Sequence, residues 1–343
     1  MGDRSISETT GVLIALLLIL AACYFAQAVI EPAIFAIFII EIAWPLQKTL
    51  QPRIGKGAAL SVTVLVTVSV LFALLSMIAW EGREIAEWVR QNLDRIQETL
   101  ITSTAWLEDH DIFVLATLSD YFDSSMILRI LQVVALRINA ILAFALIVII
   151  YVILGLGEIS GLTERISTWK NQDASSHILA AGRRIGQRFL KYVAVRTIAS
   201  IATGLSVWGV ARFFGLELAA ASGVLAFSLN YLPYIGSLIV TVLVPLFAFV
   251  QFGSIETAAV FLISLLVIQT VIGSYLEPLF AGTALSISPP MVLFSIALWT
   301  FLWGALGAFL GVPLAIATIT LLEEYPSTRW LADILSGGRS AVS

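Results

Sequence analysis

The groups in this sequence with scope for chemistry are a few polar residues set within long apolar runs. The heptapeptide Asn230-Tyr231-Leu232-Pro233-Tyr234-Ile235-Gly236 interrupts the apolar run 218–251. Pro233 lacks a backbone donor and Gly236 permits positive φ, so a helix through this point should break. Broken helices at membrane depth build solute and ion sites, and here Asn230, Tyr231 and Tyr234 would offer an amide and two phenols. The alternative is a plain turn between two half-helices. A second constellation is 274–290, where Glu277 stands among Pro278, Gly282, Pro289 and Pro290. It is too apolar for a solvated loop and too broken for a span, so it should dip into the membrane or line a cavity. There Glu277 would bind a cation or carry a proton, or serve as an interfacial carboxylate. Glu41 lies inside the short run 33–47. A charge at a helix centre costs ~2.5–3.5 kcal/mol, which favours pairing or function. Arg196 and Arg212 flank the run 195–214 and read as snorkelling to opposite interfaces. Finally, Gly304, Gly307 and Gly311 precede Pro313, and Gly307-Ala308-Phe309-Leu310-Gly311 is a pattern that lets helices approach closely.

The elements that must position these groups follow from composition. Of 343 residues, 59% are hydrophobic and 12% charged, whereas a soluble domain carries about 25% charged residues. A soluble enzyme is excluded, and the fold expected is an all-α, polytopic integral membrane protein. The single Cys23 excludes an internal disulfide, and His110 and His177 without a Cys/His cluster point to no metal site. No phosphate-binding glycine motif is present, so no nucleotide motor and no cofactor are expected. No nucleophile–base–acid set stands out, so the chain is not expected to be an enzyme, nor to bind nucleic acid.

Apolar runs of membrane-crossing length occupy 12–30, 33–47, 58–80, 138–156, 195–214, 218–251, 256–275 and 291–321. The lipoprotein-like Leu20-Ala21-Ala22-Cys23 follows a poor signal n-region holding Asp3 and Glu8 beside Arg4, so the first run is expected to be a retained helix. Glu31-Pro32 should make a tight corner between the first two runs. The run 218–251 is too long for one straight crossing and either kinks or folds back. About eight membrane-embedded helices result, with interrupted or re-entrant segments.

Charge asymmetry orients them. Lys48, Arg53 and Lys56 without an acid place 45–57 inside. Seven basic residues against three acids place 158–196 inside, and ten acids against five arginines place 81–137 outside. Both termini are then cytoplasmic. The organisation expected is 1–80 with three membrane helices, an extracytoplasmic amphipathic segment 81–137, and a fourth membrane helix at 138–157. A cytoplasmic basic segment 158–194 follows, then C-terminal membrane helices over 195–322 with breaks at 230–236 and 276–290, and a cytoplasmic tail 323–343.

Two stretches outside the spans carry helical stripes. Ile85, Trp88, Val89, Leu93, Ile96 and Leu100 recur at helical spacing, and Met126, Ile127, Ile130, Leu131 and Val134 form a second stripe. Their apolar faces should pack on the bilayer surface, on each other, or across a subunit interface. The basic amphipathic stretch Arg183 to Tyr192 should lie on the anionic inner leaflet.

With these motifs in place, the sequence resembles the autoinducer-2 exporter (AI-2E) family of bacterial permease-like transporters. The resemblance rests on the Pro233-Tyr234-Ile235-Gly236 signature, on Glu277-Pro278 followed by Gly282 and Pro290, and on Trp303 through Pro313. The order of the spans agrees as well. One departure is Ser288-Pro289-Pro290, where many members carry a histidine before a single proline, so no role of that histidine transfers. The resemblance implies an oligomeric transporter of the bacterial inner membrane. Members have been linked to export of the quorum-sensing signal autoinducer-2, others to Na⁺(Li⁺)/H⁺ antiport.

Three functions follow for testing. The first is export of a small polar metabolite, with Asn230, Tyr231, Pro233, Tyr234 and Gly236 forming the path. The second is monovalent cation/proton antiport, with Glu41 and Glu277 as carriers. The third is a non-transporting scaffold that binds a partner through 81–137.

Overall fold

The computed structural model describes residues 2–108, 124–281 and 287–336. Every regular element among them is helical: α1 Gly2–Phe25, α2 Gln27–Ile54, α3 Lys56–Gln91, α4 Leu93–Glu108, α5 Ser124–Ser167, α6 Gln172–Phe213, α7 Ala219–Leu229, α8 Ile235–Phe252, α9 Ile255–Val271, α10 Glu277–Ala281, α11 Pro289–Glu324 and α12 Arg329–Leu335. A π-helical turn, Ile272–Leu276, joins α9 to α10. An all-α architecture is what hydrocarbon demands, because a helix satisfies its own backbone. Seven helices among the described residues are long and apolar enough to cross a membrane, and α7 is a shorter apolar helix. At 1.5 Å per residue α7 spans only about 16 Å, half of a ~30 Å hydrocarbon core.

The chain divides into two compact units: residues 1–68, 144–192 and 283–343, and residues 69–143 and 193–282. In the first unit, an aromatic chain runs through the core. Phe38 meets Phe189 and Phe309 at ring separations of 5.2 and 5.9 Å, and Phe35 meets Phe309 and Phe144 at 5.6 and 5.7 Å. Gln47, buried on α2, donates its amide to the Leu156 carbonyl at 3.2 Å.

The run 291–321, expected as one span, instead reverses direction. Gly304 has φ 63° and ψ −139° within α11, a conformation no helix contains. Ser295 and Gly311, 16 residues apart, would lie ~24 Å apart in a straight helix, yet the Ser295 hydroxyl donates to the Gly311 carbonyl at 2.6 Å. The arms 289–303 and 305–324 therefore pack back to back. A Cβ on Gly307 would overlap the Trp299 carbonyl, and one on Gly311 would stand 2.9 Å from the Ile296 Cα. Gly307 and Gly311 thus face the preceding arm of their own hairpin, while Gly304 turns the chain rather than packing it. Pro313 is buried on the second arm.

The second unit holds a core of Trp88, Val207, Leu216, Leu225, Val240, Val244, Phe247, Phe261 and Leu265, among others. Here α7 and α8 form a second hairpin, which decides the fate of 218–251. The Gln251 side chain near the end of α8 accepts from the Glu217 N–H at 2.7 Å and donates to the Gly215 carbonyl at 2.9 Å, so the two outer ends meet. At the tip, a Cβ on Gly236 would overlap the Leu229 carbonyl. The chain leaves α8 through Gly253 in the left-handed region (φ 63°), and Ser254 caps α9 by accepting from the Thr257 N–H at 3.1 Å.

Several expected boundaries move. The corner falls at Ala26 (φ −100°, ψ 23°), with Pro32 inside α2. A proline there removes one backbone bond, yet the helix continues through the buried Pro32. The helix predicted to end at 80 runs on to Gln91, and α5 and α6 begin well before 138 and 195. The first stripe belongs to the second unit's own core: Trp88 is buried, its ring 5.7 Å from Phe247, and Ile85, Val89 and Ile96 pack with it. The Trp88 indole N–H donates to the Glu217 carboxylate at 2.6 Å. The side chains of the second stripe lie outside the described residues. The basic stretch 183–192 is part of continuous α6 rather than a separate surface helix. Its Arg188 pairs with Glu323 at 2.7 Å and bonds Thr320 at 2.7 Å, while Arg184 pairs with Glu324 at 3.0 Å. Nearby acids on the second arm of α11 give these arginines a closer partner than a lipid headgroup.

Candidate functional site

The tip of the α7–α8 hairpin gathers the polar residues singled out from sequence. Asn230 ends α7 and is buried, and its amide donates to the Ser200 hydroxyl at 3.1 Å. The Tyr231 hydroxyl donates to Thr197 Oγ1 at 2.9 Å. Both partners lie on α6, three residues apart and so on one face. Pro233 and Gly236 are buried beneath the tip, whereas Tyr234 is 55% exposed.

Tyr234 is the single non-glycine residue with positive φ among the described residues (62°, ψ −48°). The Ile235 N–H bonds back to the Pro233 carbonyl at 2.7 Å. Together these define a γ-turn of the rare, strained hand. Strain of this kind costs of order 1–3 kcal/mol, persists only where surroundings enforce it, and concentrates at functional sites. Two residues on, Gly236 lies so close to the Leu229 carbonyl that no side chain fits.

Below the tip, Thr203 and Ser222 are fully buried, and their hydroxyls, with that of Ser228, have no hydrogen-bond partner among the described residues. The α6 and α7 backbones approach closely nearby, since a Cβ on Gly204 would stand 2.8 Å from the Gly223 carbonyl. The second unit thus carries an uncharged polar face of hydroxyls and one amide inside an apolar body. Sequence reasoning passed over Thr197, Ser200 and Thr203. Their signal was present in the three-residue spacing of hydroxyls along an otherwise apolar span.

Glu277 opens α10 in the same unit, and Arg196 Nη1 donates to its carboxylate at 2.8 Å. Arg196, expected to lie at an interface, is thus paired with a carboxylate 81 residues away. Arg212 is exposed. Glu41 belongs to the other unit, half-buried on α2, where its Oε2 stands 2.5 Å from the position a Cβ on Gly186 would take. It has no ion pair among the described residues. Glu41 and Glu277 thus belong to different units.

The match to known proteins spans this whole arrangement. The family model described as AI-2E family transporter matches residues 13–327. The chain belongs to the AI-2E transporter family. Among its relatives is the AI-2 transport protein TqsA of Escherichia coli (strain K12), 28% identical over 94% of this chain and 93% of that protein. A putative transport protein of Haemophilus influenzae is 27% identical over 94% of each. Putative transport protein YhhT of E. coli K12 is 26% identical over 95% of this chain and 93% of its own length. As an AI-2E member with seven helices of crossing length among its described residues, the protein is a membrane transporter, and its helices and relatives support an inner-membrane location. The family is one of transporters.

Proposed function

We propose that this AI-2E transporter exports a small, uncharged, polyhydroxylated metabolite of the class that includes autoinducer-2. The carrying observation is the uncharged polar face of α6 and the α7–α8 tip: Asn230 paired with Ser200 and Tyr231 with Thr197, with hydroxyls below them that have no partner among the described residues. A neutral polyol entering hydrocarbon must replace its hydration with such groups. Exchangeable hydroxyl–hydroxyl bonds suit that task better than fixed charges. The naming of a relative as an AI-2 transport protein supports the same class. Flux is passive or driven by the proton-motive force. Positive-inside asymmetry supports cytoplasmic termini with 81–137 outside, and the protein works in lipid as a homo-oligomer.

Efflux of labelled autoinducer-2 from proteoliposomes tests this. Loss faster than from empty liposomes is expected, and equal rates would overturn the proposal. A second reading, Na⁺(Li⁺)/H⁺ antiport, draws on Glu41, a carboxylate within a helix of crossing length and without an ion pair among the described residues. Collapse of a preset pH gradient on adding Na⁺, lost in a Glu41→Gln/Glu277→Gln double variant, would favour it. The scaffold reading is weaker, because Ile85, Trp88 and Val89 are already occupied within their own unit.

A further inference from the structure

We propose that the Arg196–Glu277 ion pair is a charge filter, which keeps the polar face of α6 neutral and denies it to monovalent cations. This rests on the reading that solute moves along that face, and it adds what the face refuses.

The geometry begins with the π-helical turn Ile272–Leu276 between α9 and α10. A π turn inserts an extra residue, and each residue of an α-helix turns the following side chains by about 100°. The wide turn therefore re-aims Glu277, the first residue after it, toward α6. There it meets Arg196, the two side chains only 15% and 25% exposed. Arg196, Thr197 and Ser200 lie within about 6 Å of rise along α6. Thr197 carries the Tyr231 hydroxyl and Ser200 the Asn230 amide. The ion pair therefore stands beside every hydrogen bond that defines the candidate path.

Without the guanidinium, that neighbourhood would hold one carboxylate and oxygen atoms from two hydroxyls, a phenol and an amide. Hard cations select such oxygen donors, and a half-buried unpaired carboxylate draws a counter-ion because desolvated charge is costly. Arg196 occupies that place with a planar, multi-donor cation fixed to the chain. The face then presents hydrogen bonds without net charge. By the same logic, removing Glu277 would leave a fixed positive charge and recruit anions.

The test measures ²²Na⁺ uptake and lactate uptake into proteoliposomes under an imposed membrane potential, with folding checked by monodispersity in detergent. Wild type should admit neither ion above empty liposomes. Arg196→Gln should raise sodium uptake tenfold or more, and adding Glu277→Gln should remove the gain. Glu277→Gln alone should raise lactate uptake at least fivefold without admitting sodium. Folded Arg196→Gln protein with wild-type sodium uptake would overturn the filter, as would sodium uptake by the wild type. If Arg196→Gln does not fold, the lactate measurement on Glu277→Gln decides, and no gain there overturns the proposal. Autoinducer-2 efflux by the wild type is scored separately, so its failure counts against the solute class and not against charge selection.

Discussion

At 230–236 the chain reverses through an amide, two tyrosines, a proline and a strained γ-turn. At Gly304 it reverses on one glycine, between Trp303 and Ala305, with the Trp299 and Trp303 rings 4.6 Å apart. Both hairpins lock their arms with a glycine so tight that a Cβ would strike a carbonyl, Gly236 on Leu229 and Gly307 on Trp299. They differ in what stands at the bend. The Trp303 indole is committed to the Cys23 carbonyl at 3.0 Å, whereas Tyr234 is left exposed. Close helix reversal in an apolar chain therefore needs only small residues at the crossing. The polar groups at 230–234 are extra to the turn, and that surplus marks the hairpin as the candidate site.

The comparison is most severely tested at the shared feature. Gly236→Ala and Gly307→Ala should each destabilise the protein by about 3 kcal/mol or more, because backbone must move to admit the methyl group. Recovery of monodisperse protein in detergent reads the effect, and tolerance at either position would show that this arm crossing is looser than described. Next, Tyr234→Phe should cut solute flux about tenfold, the equivalent of ~1.4 kcal/mol, at unchanged membrane abundance. Unchanged flux would erase the functional distinction between the bends. Trp303→Phe should instead leave flux alone and lower thermal stability by about 1 kcal/mol through the lost bond to Cys23. Of the same size is Ser295→Ala, expected to lower stability by about 1 kcal/mol through its bond to Gly311, again with normal flux. A flux defect in either of these last two variants would move function toward the Gly304 hairpin.

The two bends were unequally legible. Pro233 and Gly236 inside 218–251 announced a break, and the excess length of that run left kink and reversal open. What chose reversal was Gln251 bridging to Gly215 and Glu217, a bond across 34 to 36 residues that no local rule contains. Gly304 carried no such signal beside it. Yet the 36 residues of α11 would extend about 54 Å as one straight helix, far beyond a ~30 Å core. That excess raised the possibility without deciding it, since α3 is also 36 residues long. The close approach signalled by Gly307 and Gly311 was legible, but not that the partner would be their own preceding arm. The polar residues 230–234 were visible because they punctuate an apolar run. Their partners Thr197 and Ser200 carried only the weak signal of spaced hydroxyls, which are common in a span, and only the fold sets them opposite Tyr231 and Asn230. Arg196 and Glu277 were both visible as charges, and their separation along the chain hid the pairing.

The positive φ of Tyr234 makes it a place where fitness and robustness pull apart. Glycine there would relax the backbone at no steric cost, so Tyr234→Gly should yield a sturdier protein that carries less solute. A selection for heat tolerance would tend to discard this tyrosine, and one for transport would keep it.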